Sequence, residues 1–188
     1  MIIKPWEKIG PEQVLAESHN RSLVTQRYLD PHDKKEVEYS IFRGKSFSSI
    51  ILGINKENDV LAVEQYRHAV NAVTLELIGG SQKYSNQNPR EVALEEFAEE
   101  TSGYQPTNII PLLEFGCWFE PSSTEIIYYP FLFVECVKSN KQAKPDDGEY
   151  LRLIQIPSED WVKMCENGVV RDSKSLAVTL LAKKYLRN

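Results

Sequence analysis

Between Gln13 and Ile78 short apolar stretches alternate with polar punctuation, a pattern that predicts strand after strand. The stretches are residues 13–18, 22–29, 37–43, 47–55, 60–67 and 73–78, mostly rich in Val, Ile, Leu, Tyr, Phe or Thr. Turn chemistry separates most of them: His19-Asn20, Asp30-Pro31-His32-Asp33, Gly44-Lys45 and Asn58-Asp59. Gly79-Gly80 then opens a polar loop. A helix follows, with Asn88 as N-cap, Pro89 in the first position and Glu91 completing a capping box. It runs through about Thr101 and ends at Ser102-Gly103, with Ala93, Leu94, Phe97, Ala98 and Thr101 as its inner face.

Two long apolar runs come next, residues 109–119 and 126–134, joined by EPSSTE. They read as well-buried strands, with Pro130 marking a bulge or an edge position in the second. Residues 139–148 form a polar loop. A last strand over 150–156 precedes two short helices, near 158–166 and 172–186, the second capped by Asp172. The class is α/β or α+β: a mixed sheet with one central acidic helix and a helical tail. At 188 residues the chain is one domain, or one domain with a small appendage.

Charge and cysteines narrow the picture. The net charge is −5 and no basic block interrupts it, which argues against binding to a nucleic-acid backbone. An acidic protein that handles a phosphorylated substrate must offset the repulsion locally, and a bound divalent cation does so. The three cysteines, Cys117, Cys136 and Cys165, are odd in number and widely spaced. They indicate neither a disulfide framework nor a zinc site, and they fit a reducing cytoplasm. The N-terminus MIIKPWEKIG lacks a signal-peptide apolar stretch, and no run is long enough to cross a bilayer.

The central helix carries Glu91, Glu95, Glu96, Glu99 and Glu100 against a single Arg90. At about 100° per residue, Glu96, Glu99 and Glu100 fall within an arc of roughly 100°. Glu95–Glu99 and Glu96–Glu100 are like-charged i,i+4 pairs, each costing a few tenths of a kcal/mol. Acids toward the C-terminal end also oppose the helix dipole. Converging carboxylates of this kind suit a hard cation such as Mg²⁺. Taken alone, the helix reads first as a solvated glutamate face, since glutamates are good helix formers and such faces are common.

The surrounding residues carry more. The stretch GGSQKYSNQNPREVALEEFAEETSGY resembles the Nudix box, G-x5-E-x7-R-E-U-x-E-E-x-G-U, where U is a bulky apolar residue. Its end, EFAEE from Glu96 to Glu100, fits E-U-x-E-E. AVEQYR ending at Arg67, ELIGG from Glu76 to Gly80, EPSSTEIIYYPFLF and the tail VVRDSKSLAVTLLAKKYL each resemble segments of ADP-ribose pyrophosphatases, in the same order. GDP-mannose-cleaving relatives share the T-E-hydrophobic pattern and an R-D-x-K tail. Against the pattern one residue is inserted between Gly80 and Gln87 and another, Ser102, before Gly103, and two coupled positions differ: Gln87 stands for the glutamate and Glu95 for the arginine of a bracing ion pair.

The resemblance implies a Nudix-type α/β/α sandwich over residues 47–188 and an N-terminal antiparallel β-extension over 1–46 that pairs two subunits into a homodimer. It implies hydrolysis of a nucleoside diphosphate linked to another group, with ADP-ribose favoured and GDP-mannose next. A weakly active or inactive Nudix-fold nucleotide-binding module is the alternative. Mg²⁺ or Mn²⁺ would be held by Glu96, Glu99, Glu100 and the carbonyl of Gly79, with Glu99 and Glu100 also catalytic. The catalytic base comes from the box or from a loop outside it, where Asp146, Asp147 and Glu149 stand and Glu149 is preferred; Glu125 is a further candidate. Arg67 reads either as a substrate-side arginine or as an ordinary strand-end charge. Trp118 and Glu125 are assigned to the substrate side. For stacking on the base, Val37 occupies the matching aromatic position, with Tyr39 and Phe42 nearby, although Phe42 and Trp118 read first as buried packing residues. His19, His32 and His68 fit no metal or triad spacing.

Overall fold

In a computed structural model, which describes residues 3–19, 21–44, 46–139 and 150–186, all six predicted early strands are present. The chain divides into two units, Met1–Ser46 with Trp118–Ile127, and Phe47–Cys117 with Tyr128–Asn188.

The first unit is an antiparallel sheet of β1 (Glu7–Ser18), β2 (Arg21–Leu29) and β3 (Glu36–Gly44), in that order. The segment Trp118–Ile127 joins it through backbone. The Phe42 N–H donates to the Ser123 carbonyl at 2.8 Å, and the Thr124 hydroxyl donates to the Phe42 carbonyl at 2.7 Å. Phe42 and Trp118 are exposed, at 51% and 63% of their surface, so neither is the packing residue that its size predicts. Their apolar area is left to solvent because this small sheet has few residues with which to cover it.

In the second unit, β4 (Ser48–Asn55), β5 (Asp59–Arg67) and β6 (Ala72–Ser81) pair antiparallel with one another. After α1 (Pro89–Glu100) come β7 (Tyr104–Gln105), β8 (Asn108–Pro111), β9 (Cys117–Trp118), β10 (Ile127–Lys138), β11 (Leu151–Pro157), α2 (Ser158–Glu166) and α3 (Ser173–Ala182), which a short 3₁₀ turn, Lys183–Tyr185, extends. The sheet runs β11-β5-β6-β4-β10-β7, and β4 and β10 pair in parallel. Helix α1 packs on β4 and β6 over a core of Ile51, Leu61, Val63, Ile78, Ala93, Phe97, Phe131 and Phe133. Gly53 lies under Phe97: a Cβ there would stand 2.3 Å from the ring, so only glycine admits this approach. α3 packs on the same two strands, against residues outside that cluster.

Four expectations change. Gly79 and Gly80 do not open a loop but continue β6, in register with Ile50 and Ser49 of β4; ladder bonding to a neighbour outweighs their weak strand propensity. Residues 109–119 do not form one strand, because the run turns after Pro111 and leaves Phe115 exposed. Pro130 is neither at an edge nor in a bulge. It faces Ile50 of β4 while its carbonyl accepts from Leu112 N–H on the other side, so only the missing donor is lost. The bulge lies further on, between Phe133 and Cys136, where Glu135 has φ +49°. The inner face of α1 is Val92, Ala93, Glu96, Phe97 and Glu100; Leu94 and Ala98 are half-buried. Loop residues 140–148 lie outside the described residues.

Among the described residues no helix is long and apolar enough to cross a membrane. All three cysteines are free thiols, and burial pushes that of Cys136 up to about 12.

Candidate functional site

The N-terminus of α1 is built as its sequence dictates. Asn88 Oδ1 accepts from the N–H groups of Arg90 and Glu91 at 3.0 Å each, and Glu91 Oε2 accepts from Asn88 N–H at 2.9 Å. This reciprocal cap satisfies donors that the helix itself cannot. Ser49 Oγ donates to the Pro89 carbonyl at 2.7 Å and ties the helix start to β4. The helix is thereby fixed in rotation, and its 92-96-100 stripe faces the sheet.

That stripe contains two glutamates. Glu96 and Glu100 are 7% and 5% exposed, while Glu99 is half-buried. Gly80 makes room for the first: a Cβ on it would meet the Glu96 carboxyl carbon at 2.0 Å. Glu100 accepts from Gly79 N–H at 3.4 Å. The two glycines of β6 therefore bring bare backbone against two buried acids. Burying like charges is costly unless something compensates them.

Lys83 supplies part of that compensation. Its ammonium stands 2.8 Å from Glu99 and 3.6 Å from Glu96. The loop that carries it is organised by Gln87, whose Oε1 accepts from the N–H groups of Lys83 and Tyr84 at 2.8 and 3.0 Å. The amide of Gln87 donates to Glu95 at 2.5 Å. The loop and helix are thus still braced at the positions where the Nudix box has an ion pair, by a charge-assisted hydrogen bond instead.

Arg67, at the end of β5, grips Glu76 of β6 with both hands: Nε and Nη2 donate to the two carboxylate oxygens at 2.9 and 2.7 Å. Thr74 donates to the same carboxylate at 2.6 Å. Burial pushes the Glu76 carboxyl up, but the bonds from Arg67 and Thr74 outweigh it and hold the group below the usual range. Arg67 is therefore not an ordinary surface charge. Further along, Asp172 caps α3 by accepting from Ser175 N–H at 2.9 Å, and Ser175 Oγ accepts from Leu77 N–H at 2.8 Å, stitching that helix to β6.

In the first unit, Trp6, Tyr28 and Tyr39 stand edge to face beside a cavity of about 340 Å³ that Arg43 and Glu125 also line. Glu125 is ion-paired to Arg43 at 2.5 Å, which occupies it as an acid. Trp118 is exposed and does not line this cavity. Asp146, Asp147 and Glu149 lie outside the described residues.

Among the described residues no three His, Cys, Asp or Glu side chains are grouped as a metal site. Glu96 and Glu99 converge on Lys83, while Glu100 turns to Gly79. The chemistry of the donors nevertheless fits a hard divalent cation: carboxylate oxygens on one helix face, beside strand backbone, around a point that already attracts a positive charge. Reading along the chain missed Lys83 and Glu76 as site residues. Glu76 had a signal, as the first residue of ELIGG; Lys83 had none, because its partners lie 13 and 16 positions away on another element.

No family model matches the chain. Over 137 residues it is 27% identical to the methanol dehydrogenase activator of Bacillus methanolicus and 26% identical to the ADP-ribose pyrophosphatase of Bacillus subtilis (strain 168). Each match covers 73% of this chain and 70% of the relative. The crystal structure of an ADP compounds hydrolase shares the fold, with a TM-score of 0.84 over 100% of this chain and 97% of that one, at 13% identity. The chain is thus similar in sequence to an ADP-ribose pyrophosphatase and to a methanol dehydrogenase activator, and it shares its fold with an ADP compounds hydrolase.

Proposed function

We propose that the chain hydrolyses the pyrophosphate of a nucleoside diphosphate sugar, ADP-ribose before GDP-mannose, using Mg²⁺ or Mn²⁺. The observation that carries this reading is the pair of carboxylates, Glu96 and Glu100, buried against Gly79 and Gly80 of β6. Glu96, Glu99, Glu100 and the Gly79 carbonyl would hold the ion. When bound, it neutralises phosphate charge and makes a water more acidic. Glu99 and Glu100 would also orient the attacking water. Arg67 is assigned to the substrate side, held in place by Glu76. Glu149 is assigned as the base. Trp118 and Glu125 are assigned to the substrate, and Tyr39 is a candidate to stack on its base.

The N-terminal sheet is read as a homodimer contact. Free thiols fit a reducing cytoplasm. The second reading, a Nudix-fold nucleotide-binding module with little turnover, draws on Gln87 and Glu95 in place of the ion pair and on similarity to a protein named as an activator.

One experiment tests the first reading: product release from ADP-ribose, GDP-mannose and related compounds, with Mg²⁺ and with Mn²⁺, for the parent and for E99Q/E100Q. ADP-ribose cleavage that depends on the ion and is lost in the double variant is expected. A parent that binds these nucleotides but releases no product favours the module.

A further inference from the structure

We propose that Lys83 is a tethered counter-ion that competes with a divalent cation for the oxygens of Glu96 and Glu99. The inference rests on the metal reading above. Its starting point is geometric: one ammonium lies within ion-pair distance of two of the three carboxylates assigned to the ion. The side chains of Lys83, Glu96 and Glu99 are 24%, 9% and 22% exposed, so solvent screens the contact less than it would a surface pair.

The loop is shaped to deliver that charge. Gln87 accepts from the backbone N–H groups of Lys83 and Tyr84, and Gln82 Nε2 donates to the Gln87 carbonyl at 3.1 Å. With its backbone pinned by Gln87, Lys83 leaves the carboxylates by rotating its four-carbon stem, with no rearrangement of the loop. A divalent cation has the higher charge and wins at sufficient concentration, but it binds only to the extent that the ammonium is displaced. Its observed affinity is lowered by the fraction of molecules in which Lys83 is in place. Without the ammonium, three glutamates on one helix face repel, so the same residue stabilises the helix when no divalent ion is present.

Mn²⁺ binding followed by the electron paramagnetic resonance of the free ion tests this, together with thermal melts in chelator, for the parent, K83M, K83R and E99Q. K83M is expected to bind Mn²⁺ roughly tenfold more tightly, the effect of removing one competing charge-assisted bond worth about 1.4 kcal/mol. It should also melt lower in chelator and show a larger Mn²⁺-induced rise. K83R keeps the charge and should stay near the parent in both measurements. E99Q should weaken Mn²⁺. Unchanged or weaker Mn²⁺ binding in K83M, with binding weakened in E99Q, overturns the counter-ion and leaves the metal reading standing. Unchanged binding in E99Q overturns the metal reading, and the counter-ion with it. Should K83M not fold, K83Q carries the same comparison, since it also removes the charge.

Discussion

Replacing Arg67 with Met should destabilise the second unit by about 2 kcal/mol at neutral pH. The side chain of Glu76 is only 5% exposed, and Arg67 donates two hydrogen bonds to it beside the one from Thr74. Removing one partner of a fully buried pair costs about 3–5 kcal/mol, whereas an exposed pair is worth about 0–1 kcal/mol. Arg67 is 44% exposed, so water can partly replace it, and the middle of that span applies. In a chain of this length, about 2 kcal/mol corresponds to roughly 4–8 °C in Tm. The sign with pH follows from the depressed carboxyl of Glu76. A group held below its unfolded value stabilises the fold above that value, near 4.5, and the contribution fades as pH falls through the folded one. Removing the guanidinium leaves burial to push the carboxyl up, so the variant's deficit should shrink from pH 7 toward pH 4. Thermal melts of the parent, R67M, E76Q and R67M/E76Q at several pH values measure this, with the double variant recovering part of the R67M loss because no buried charge is stranded. A loss below 0.5 kcal/mol that does not change with pH would refute the reasoning and return Arg67 to the status of a surface charge.

Two further outcomes are expected. Q87E/E95R should turn over its preferred nucleotide sugar faster than the parent, and E95R alone should gain less, because an ion pair would replace the Gln87–Glu95 hydrogen bond; a double variant that folds, binds Mn²⁺ and is no faster shows that this brace does not limit the protein. Light scattering at micromolar protein should give a dimer; a monomer refutes the pairing assigned to β1–β3.

What the sequence revealed was local. The capping box at Asn88 and Glu91 was readable because both partners lie within one helical turn, and the structure has both bonds. Helix α2 begins and ends at the expected residues, and Asp172 caps α3. What it hid depends on neighbours distant along the chain. Apolar periodicity turned Leu94 inward, and it does pack on the core, but Ala98 is only half-buried and Glu96 and Glu100 share the buried face with Val92, Ala93 and Phe97. Glu96 does so because Gly80 is a strand residue with no side chain to exclude it, Glu100 accepts from the Gly79 N–H, and that strand assignment depends on pairing with Ser49 and Ile50.

The same logic explains how the altered box holds together. An ion pair between loop and helix would supply one positive charge near the acidic face. Here Gln87 and Glu95 supply none; their bond even leaves Glu95 as one more acid on the helix. The positive charge enters instead at Lys83, four residues before Gln87, and Gln87 fixes the backbone that presents it. The brace and the placing of Lys83 are linked through the single side chain of Gln87, whose amide nitrogen bonds the helix while its oxygen sets the loop. The loop is therefore braced to the helix by a neutral residue, and the charge that it delivers falls on Glu99 and Glu96.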